Sequence, residues 1–159
     1  MRYLIWFILL FNLTYAQDIE QKNELYVTAY IQSLHFAKND QRNESYNEKH
    51  NAYGLEYIYD ETYSLTYNHF VNSREKDVEV LGIGYLFHFN DEFGFQLITG
   101  YQKGYCFGSS PLDSVECRES ISNEGTYVLP MLYFKYKYVK IDLFTNGEMV
   151  SFRYNLKVF

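Results

Sequence analysis

Ser33 and His35 stand two residues apart, the spacing that sends both side chains from the same face of a β-strand. Asn72 and Ser73 form a second polar pair, directly after the apolar residues Phe70 and Val71. If the two strands run in the same direction, all four groups finish at one end of a sheet. An imidazole at such a rim can take the proton from an attacking hydroxyl, while a serine hydroxyl and nearby backbone N–H groups hold the developing oxyanion. That is acyl-transfer or acyl-hydrolysis chemistry, with His35, Ser73, Ser33 and Asn72 as the candidate catalytic residues. The same four residues equally suit a water-exposed rim that performs no reaction.

Other reactive side chains offer less. His50, His69 and His88 are scattered over an outer loop and strand interiors without metal-ligand spacing and read as structural, so neither a metal nor a cofactor is expected. Cys106 and Cys117 share a polar segment with Gly104, Gly108, Ser109, Ser110 and Pro111. In an exported protein such a pair reads as a loop disulfide; a metal would need companion ligands that the segment does not carry. The formal net charge is −6, and no basic patch appears, which argues against a nucleic-acid partner.

The elements that would position these residues alternate in polarity with period two. In the last segment Val150, Phe152, Tyr154, Leu156 and Val158 share one face, and Ser151, Arg153, Asn155 and Lys157 the other. The segment before it opposes Val139, Ile141 and Leu143 to Lys140 and Asp142, so Asp142 and Arg153 form a candidate pair on the polar face. Earlier strands are expected at Leu25–Phe36, Ala52–Tyr59, Tyr63–Asn72, Asp77–Phe89, Phe93–Lys103 and Tyr127–Tyr136, about eight in all. Asp60-Glu61-Thr62, Asn90-Asp91-Glu92 and the stretch near Lys137 read as short turns at one end. Ala37 to Asn51, the Ser73 region, the cysteine segment and Asn146-Gly147-Glu148 read as loops at the other. Gly54, Gly82 and Gly84 fall on the polar face, where a narrow barrel leaves little room.

The chain's length leaves room for one domain. Residues 1–16 comprise Met1-Arg2-Tyr3, an apolar run from Leu4 to Tyr15 and Ala16, with Thr14 and Ala16 as small residues before Gln17. They read as a cleaved secretory signal peptide, the run being shorter than the roughly 20 residues of a membrane-spanning helix. Residues 17–159 are then the mature domain. Tyr numbers 18 and Phe 13, a load suited to strands and to membrane–water boundaries, where a ring meets hydrocarbon and a hydroxyl meets water. The expectation is an all-β, eight-stranded antiparallel transmembrane barrel with up-and-down topology in a bacterial outer membrane. Its partners would be the lipids of that membrane, and it would act as a monomer. Phe159 at the end of the last strand resembles the outer-membrane assembly signal, although it falls out of step with Val158 and calls for a local bulge. A soluble lipocalin-like barrel or sandwich would show the same alternation with its faces reversed.

The segment from Leu25 to Gly54 resembles the lipid A palmitoyltransferase (PagP) family, with Leu25-Tyr26, Phe36-Ala37 and Tyr46-Asn47-Glu48 in matching order and spacing. Phe70-Val71-Asn72-Ser73 resembles that family's Phe-Lys-Asp-Ser motif, Leu81-Gly82-Ile83-Gly84-Tyr85 its glycine-rich strand, and Tyr127-Val128-Leu129-Pro130 its proline-bearing strand. The resemblance implies an outer-membrane barrel that moves a palmitoyl group from phospholipid to lipid A, with Ser73 as the family serine and Pro130 opening a rung of the ladder to admit lipid sideways. Asn72 stands where the family has Asp, and Ser33 where it has His, with His35 two residues on. An Asn can hydrogen-bond an imidazolium but cannot stabilise it by charge. The alternative is a non-enzymatic barrel whose surface loops bind a ligand or partner or shield the cell surface.

Overall fold

The computed structural model describes residues 22–36, 46–73, 75–104, 124–145 and 149–159. The expected signal peptide, the Cys106–Cys117 pairing and the loops at 37–45 and 146–148 lie outside the described residues.

Period-two alternation is realised as strands throughout: β1 (Glu24–His35), β2 (Lys49–His50), β3 (Ala52–Tyr59), β4 (Tyr63–Val71), β5 (Asp77–His88), β6 (Phe93–Lys103), β7 (Glu124–Tyr136), β8 (Val139–Thr145) and β9 (Met149–Lys157). Every neighbouring pair is antiparallel, and β9 returns to β1, so the sheet closes on itself. β2 and β3 both lie along β1, with Ile31 opposite His50 and Thr28 opposite Gly54. They form one wall broken by a one-residue register shift, and the barrel has eight walls.

Two boundaries depart from expectation by more than one residue. Lys49 and His50, which fall within the loop expected from Ala37 to Asn51, pair with Gln32 and Ile31. β7 begins three residues early, at Glu124, because the polar run Glu124-Gly125-Thr126 continues the ladder against Lys103, Gln102 and Tyr101; the Tyr101 hydroxyl also donates to the Glu124 carboxylate. The bulge expected near Phe159 is present: Val158 donates to the Leu25 carbonyl at 2.7 Å, but Leu25 donates to the carbonyl of Phe159 at 3.0 Å, so two residues oppose one and both Val158 and Phe159 are exposed. The register of β1 against β9 also shifts between Thr28 and Tyr30.

That shift at Ala29 reverses the sidedness of β1. Tyr26 and Thr28 point inward below it, and so do Ile31 and Ser33 above it. Without the extra residue, Ser33 would lie in phase with Val27 on the outer face, because a one-residue slip exchanges every side chain.

The interior is layered. Nearest the short turns, Glu24 accepts from Lys135 at 2.9 Å and Lys157 at 2.7 Å. Above lies an apolar cluster of Tyr26, Ile58, Leu86 and Tyr133. The next layer is ionic. Lys140 Nζ reaches Glu56 at 2.7 Å and Asp142 at 2.8 Å, while Arg153 donates from Nε to Asp142 at 2.8 Å and from Nη2 to Glu56 at 3.2 Å. The pairing of Asp142 with Arg153 is the one its alternation predicted. Two acids and two bases cancel, and Gln96 links them by donating to Glu56 at 2.6 Å and accepting from Lys140 at 2.9 Å.

Candidate functional site

Ser33 and His35 occupy the upper end of β1, and Asn72 and Ser73 follow β4, so the topology brings all four to the same end. Contacts among them differ from the spacing-based expectation. Ser33 Oγ lies 2.7 Å from Nε2 of His50, not of His35, and His50 Nδ1 lies 2.6 Å from the Val71 carbonyl oxygen. A carbonyl only accepts, so Nδ1 carries the proton and Nε2 accepts from the Ser33 hydroxyl. His35 instead stacks on Tyr46, ring centroids 4.0 Å apart. Asn72 is buried and staples the following turn, its Oδ1 accepting from the Lys76 N–H at 3.1 Å. The Ser73 carbonyl accepts from Asn47 N–H at 3.0 Å, and the Glu48 carbonyl from Ser33 N–H at 3.0 Å.

Beneath this cluster the interior opens into a cavity of about 340 Å³, lined at its top by His50, Asn72 and Ser73 and at its floor by Arg153 and Thr66. Its wall includes Val128, Leu129, Pro130 and Met131. Four consecutive strand residues point alternately in and out, so all four can border one space only where the wall itself is interrupted.

The interruption lies between β7 and β8. β7 pairs with β6 along its whole length, from Phe93–Phe134 to Lys103–Glu124. With β8 it pairs only from Tyr136–Val139 to Leu132–Leu143. Among the described residues nothing pairs with the other edge of β7 above that rung. Phe144 and Thr145, which continue β8 past it, line the cavity from the far side of the gap. Proline has no N–H to donate, so Pro130 favours the break.

The wall is apolar outside and polar inside. Ile83 is 63% exposed and Val128 66%, whereas Glu56, Lys140 and Asp142 are fully buried within the lumen. Around the short-turn end stand exposed rings in contact, Tyr63 with Tyr85 at 5.5 Å and Phe89 with Phe93 at 5.6 Å. Water would strand this outer surface, while hydrocarbon suits it and the rings mark the interface. The ladder closes through β9 and β1, and among the described residues β7 and β8 part company above Leu132–Leu143.

The chain is an integral membrane β-barrel.

From the turn at Lys137 to the last shared rung, the β7–β8 ladder rises about 17 Å along the strand, or about 12 Å of height at a 45° tilt. The apolar band of such barrels is about 25 Å tall, so the gap opens in the half of the membrane away from the short turns.

No protein-family model matches the chain, and no curated protein matches it. Among solved structures it is similar to Ail, the attachment invasion locus protein of Yersinia pestis, in complex with the heparin analogue sucrose octasulfate. The two are 15% identical, with 87% of this chain and 97% of that one covered and a TM-score of 0.38. The resemblance to lipid A palmitoyltransferases therefore rests on the short motifs, which the barrel places at the top of β4, along β5 and beside the gap.

The residue that spacing missed is His50. A two-residue spacing identifies neighbours within one strand, whereas the partner of Ser33 lies across the ladder, 17 positions away. The other two histidines make local contacts: His69 stacks on Tyr53 at 4.7 Å, and His88 lies 2.7 Å from the Tyr133 hydroxyl and 2.6 Å from the Glu61 carbonyl oxygen.

Proposed function

We propose that this barrel, acting as a monomer, takes an acyl chain of an outer-leaflet lipid into its upper interior through the β7–β8 gap. At the top of the cavity it carries out acyl transfer or hydrolysis on phospholipid or lipid A, in the manner of the palmitoyltransferases it resembles. The observation that carries the reading is the run Val128–Met131 lining one cavity, which joins the interior to the lipid phase. A space of carbon-rich walls with a few polar groups at its ends suits an alkyl chain attached to a polar group.

The reacting groups would come from His35, Ser73, Ser33 and Asn72, joined by His50. Of the two histidines, His50 has the stronger claim to be the base: it borders the cavity, its tautomer is set by the Val71 carbonyl, and its Nε2 already accepts from a hydroxyl. Ser73 borders the same space and would hold the oxyanion.

A second reading is a barrel that binds lipid or a surface partner without chemistry. It is favoured by Ser33, which has no exposed surface, and by the orienting group at His50, which is a neutral carbonyl rather than a carboxylate.

Mass spectrometry of lipid A and phospholipid from cells with and without the protein separates the readings. Acyl transfer predicts one added chain on lipid A, or one lost from phospholipid, with the change reduced about 100-fold or more by His50→Ala and Ser73→Ala. An acyl profile identical in both cell types discards the enzymatic reading.

A further inference from the structure

Two buried polar groups in the cavity stand outside the cluster at its rim. Gln102 on β6 is 6% exposed, and its Nε2 has no hydrogen-bond partner among the described residues; nor has the buried hydroxyl of Tyr127 on β7. Both line the cavity. They sit on adjacent strands one step apart in the ladder, where Gln102 faces Gly125 and Gly100 faces Tyr127.

Gln96, on the same strand, shows what the barrel does with this residue type where no ligand is intended. Its Nε2 donates to Glu56 at 2.6 Å and Ser64 at 2.8 Å, and its Oε1 accepts from Lys140 at 2.9 Å. Native interiors rarely leave a buried donor idle, and here two idle donors border one space.

The backbone makes room for the arrangement. A Cβ at Gly82 would stand 2.4 Å from the Tyr127 hydroxyl and 2.7 Å from Cγ2 of Ile98, so glycine there lets the phenol lie inside the barrel. One side chain offers an N–H and the other an O–H, and their complement is an acceptor oxygen. Charge narrows its kind. Arg153 is the lone Lys or Arg lining the cavity among the described residues, and its guanidinium is engaged by Asp142, Glu56 and Thr66. No uncommitted cation awaits a phosphate or carboxylate, so a neutral carbonyl fits best.

We infer that Gln102 and Tyr127 are the recognition pair for the ester carbonyl of a lipid acyl chain, donating to its oxygen while the alkyl tail lies along Ile98, Leu129 and Met131 toward Arg153. The inference rests on the reading of the cavity as an acyl-chain site and adds which part of the lipid is recognised.

The test uses the refolded mature chain in maltoside micelles with the methyl ester of cis-parinaric acid as a fluorescent probe. Methyl hexadecanoate, hexadecanoic acid and hexadecane are compared as displacers at equal mole fraction in the micelle. The ester should displace the probe about tenfold better than the alkane, and better than the acid. Tyr127→Phe, which keeps the ring, and Gln102→Leu should each erode that advantage without changing displacement by hexadecane. Equal displacement by ester and alkane in the unmodified protein overturns the recognition pair and leaves the acyl-chain site standing. Stronger displacement by the acid assigns the donors to a carboxylate and overturns the ester. A probe that does not bind at all overturns the acyl-chain site itself.

Discussion

The interior differs sharply above and below Arg153. Below it, two acids and two bases saturate one another, Gln96 bridges them, and an apolar cluster and the Glu24–Lys135–Lys157 group fill the remainder. Above it, a cavity of about 340 Å³ borders an interrupted wall and two unanswered donors. The lower half behaves as a plug that holds the barrel's shape, and the upper half is the space that such rigidity makes available. Buried charge contributes little net stability when compared with good apolar packing. A fully paired layer nevertheless forbids slippage between β3, β8 and β9, because any shift leaves an ion unpaired.

The largest blow to the lower half is removal of one ion. Glu56→Ala leaves Lys140 and Arg153 short of a partner in a site with no water access, and should cost about 3–5 kcal/mol, read from urea unfolding in micelles. Packing provides the next contrast. A methyl at Gly94 would stand 2.3 Å from the Phe87 carbonyl oxygen and 2.2 Å from the Tyr133 hydroxyl. Backbone cannot yield, so Gly94→Ala should cost about 1–3 kcal/mol. At Gly82 the nearest atoms belong to Tyr127 and Ile98, side chains that border the cavity and can move into it, and Gly82→Ala should cost less than about 1 kcal/mol by the same measurement. If the two alanines cost the same, the halves do not differ in packing as described. The smallest effect on stability is expected from filling the void: Leu129→Trp should change unfolding by no more than about 1 kcal/mol yet abolish displacement of the parinaric ester.

Much of this was written in the order of residue types. A period of two says which side chains share a face, and turn residues say where strands stop, so the strands, the lumenal placement of Gly54, Gly82 and Gly84 and the Asp142–Arg153 pair were legible without coordinates. The polarity of the closed wall then decided between lipid outside and water outside, which alternation alone leaves open.

The site was less legible, because its parts depend on register. One extra residue at Ala29 turns Ser33 from the lipid side to the lumen, and a shift in the wall made by β2 and β3 sets His50 beside it. Pro130 announced a missing rung, but the gap opens where β8, still paired with β9 as far as Thr145, leaves β7 after Leu143. Gln96 and Gln102 look alike as letters. Depth in the barrel surrounds one with ions and leaves the other facing a void. By itself the sequence determined which side of the wall each residue prefers, since that is local chemistry repeated every second position. Only closure of the sheet decided which lumenal residues meet, since those contacts join strands by their stagger around the barrel.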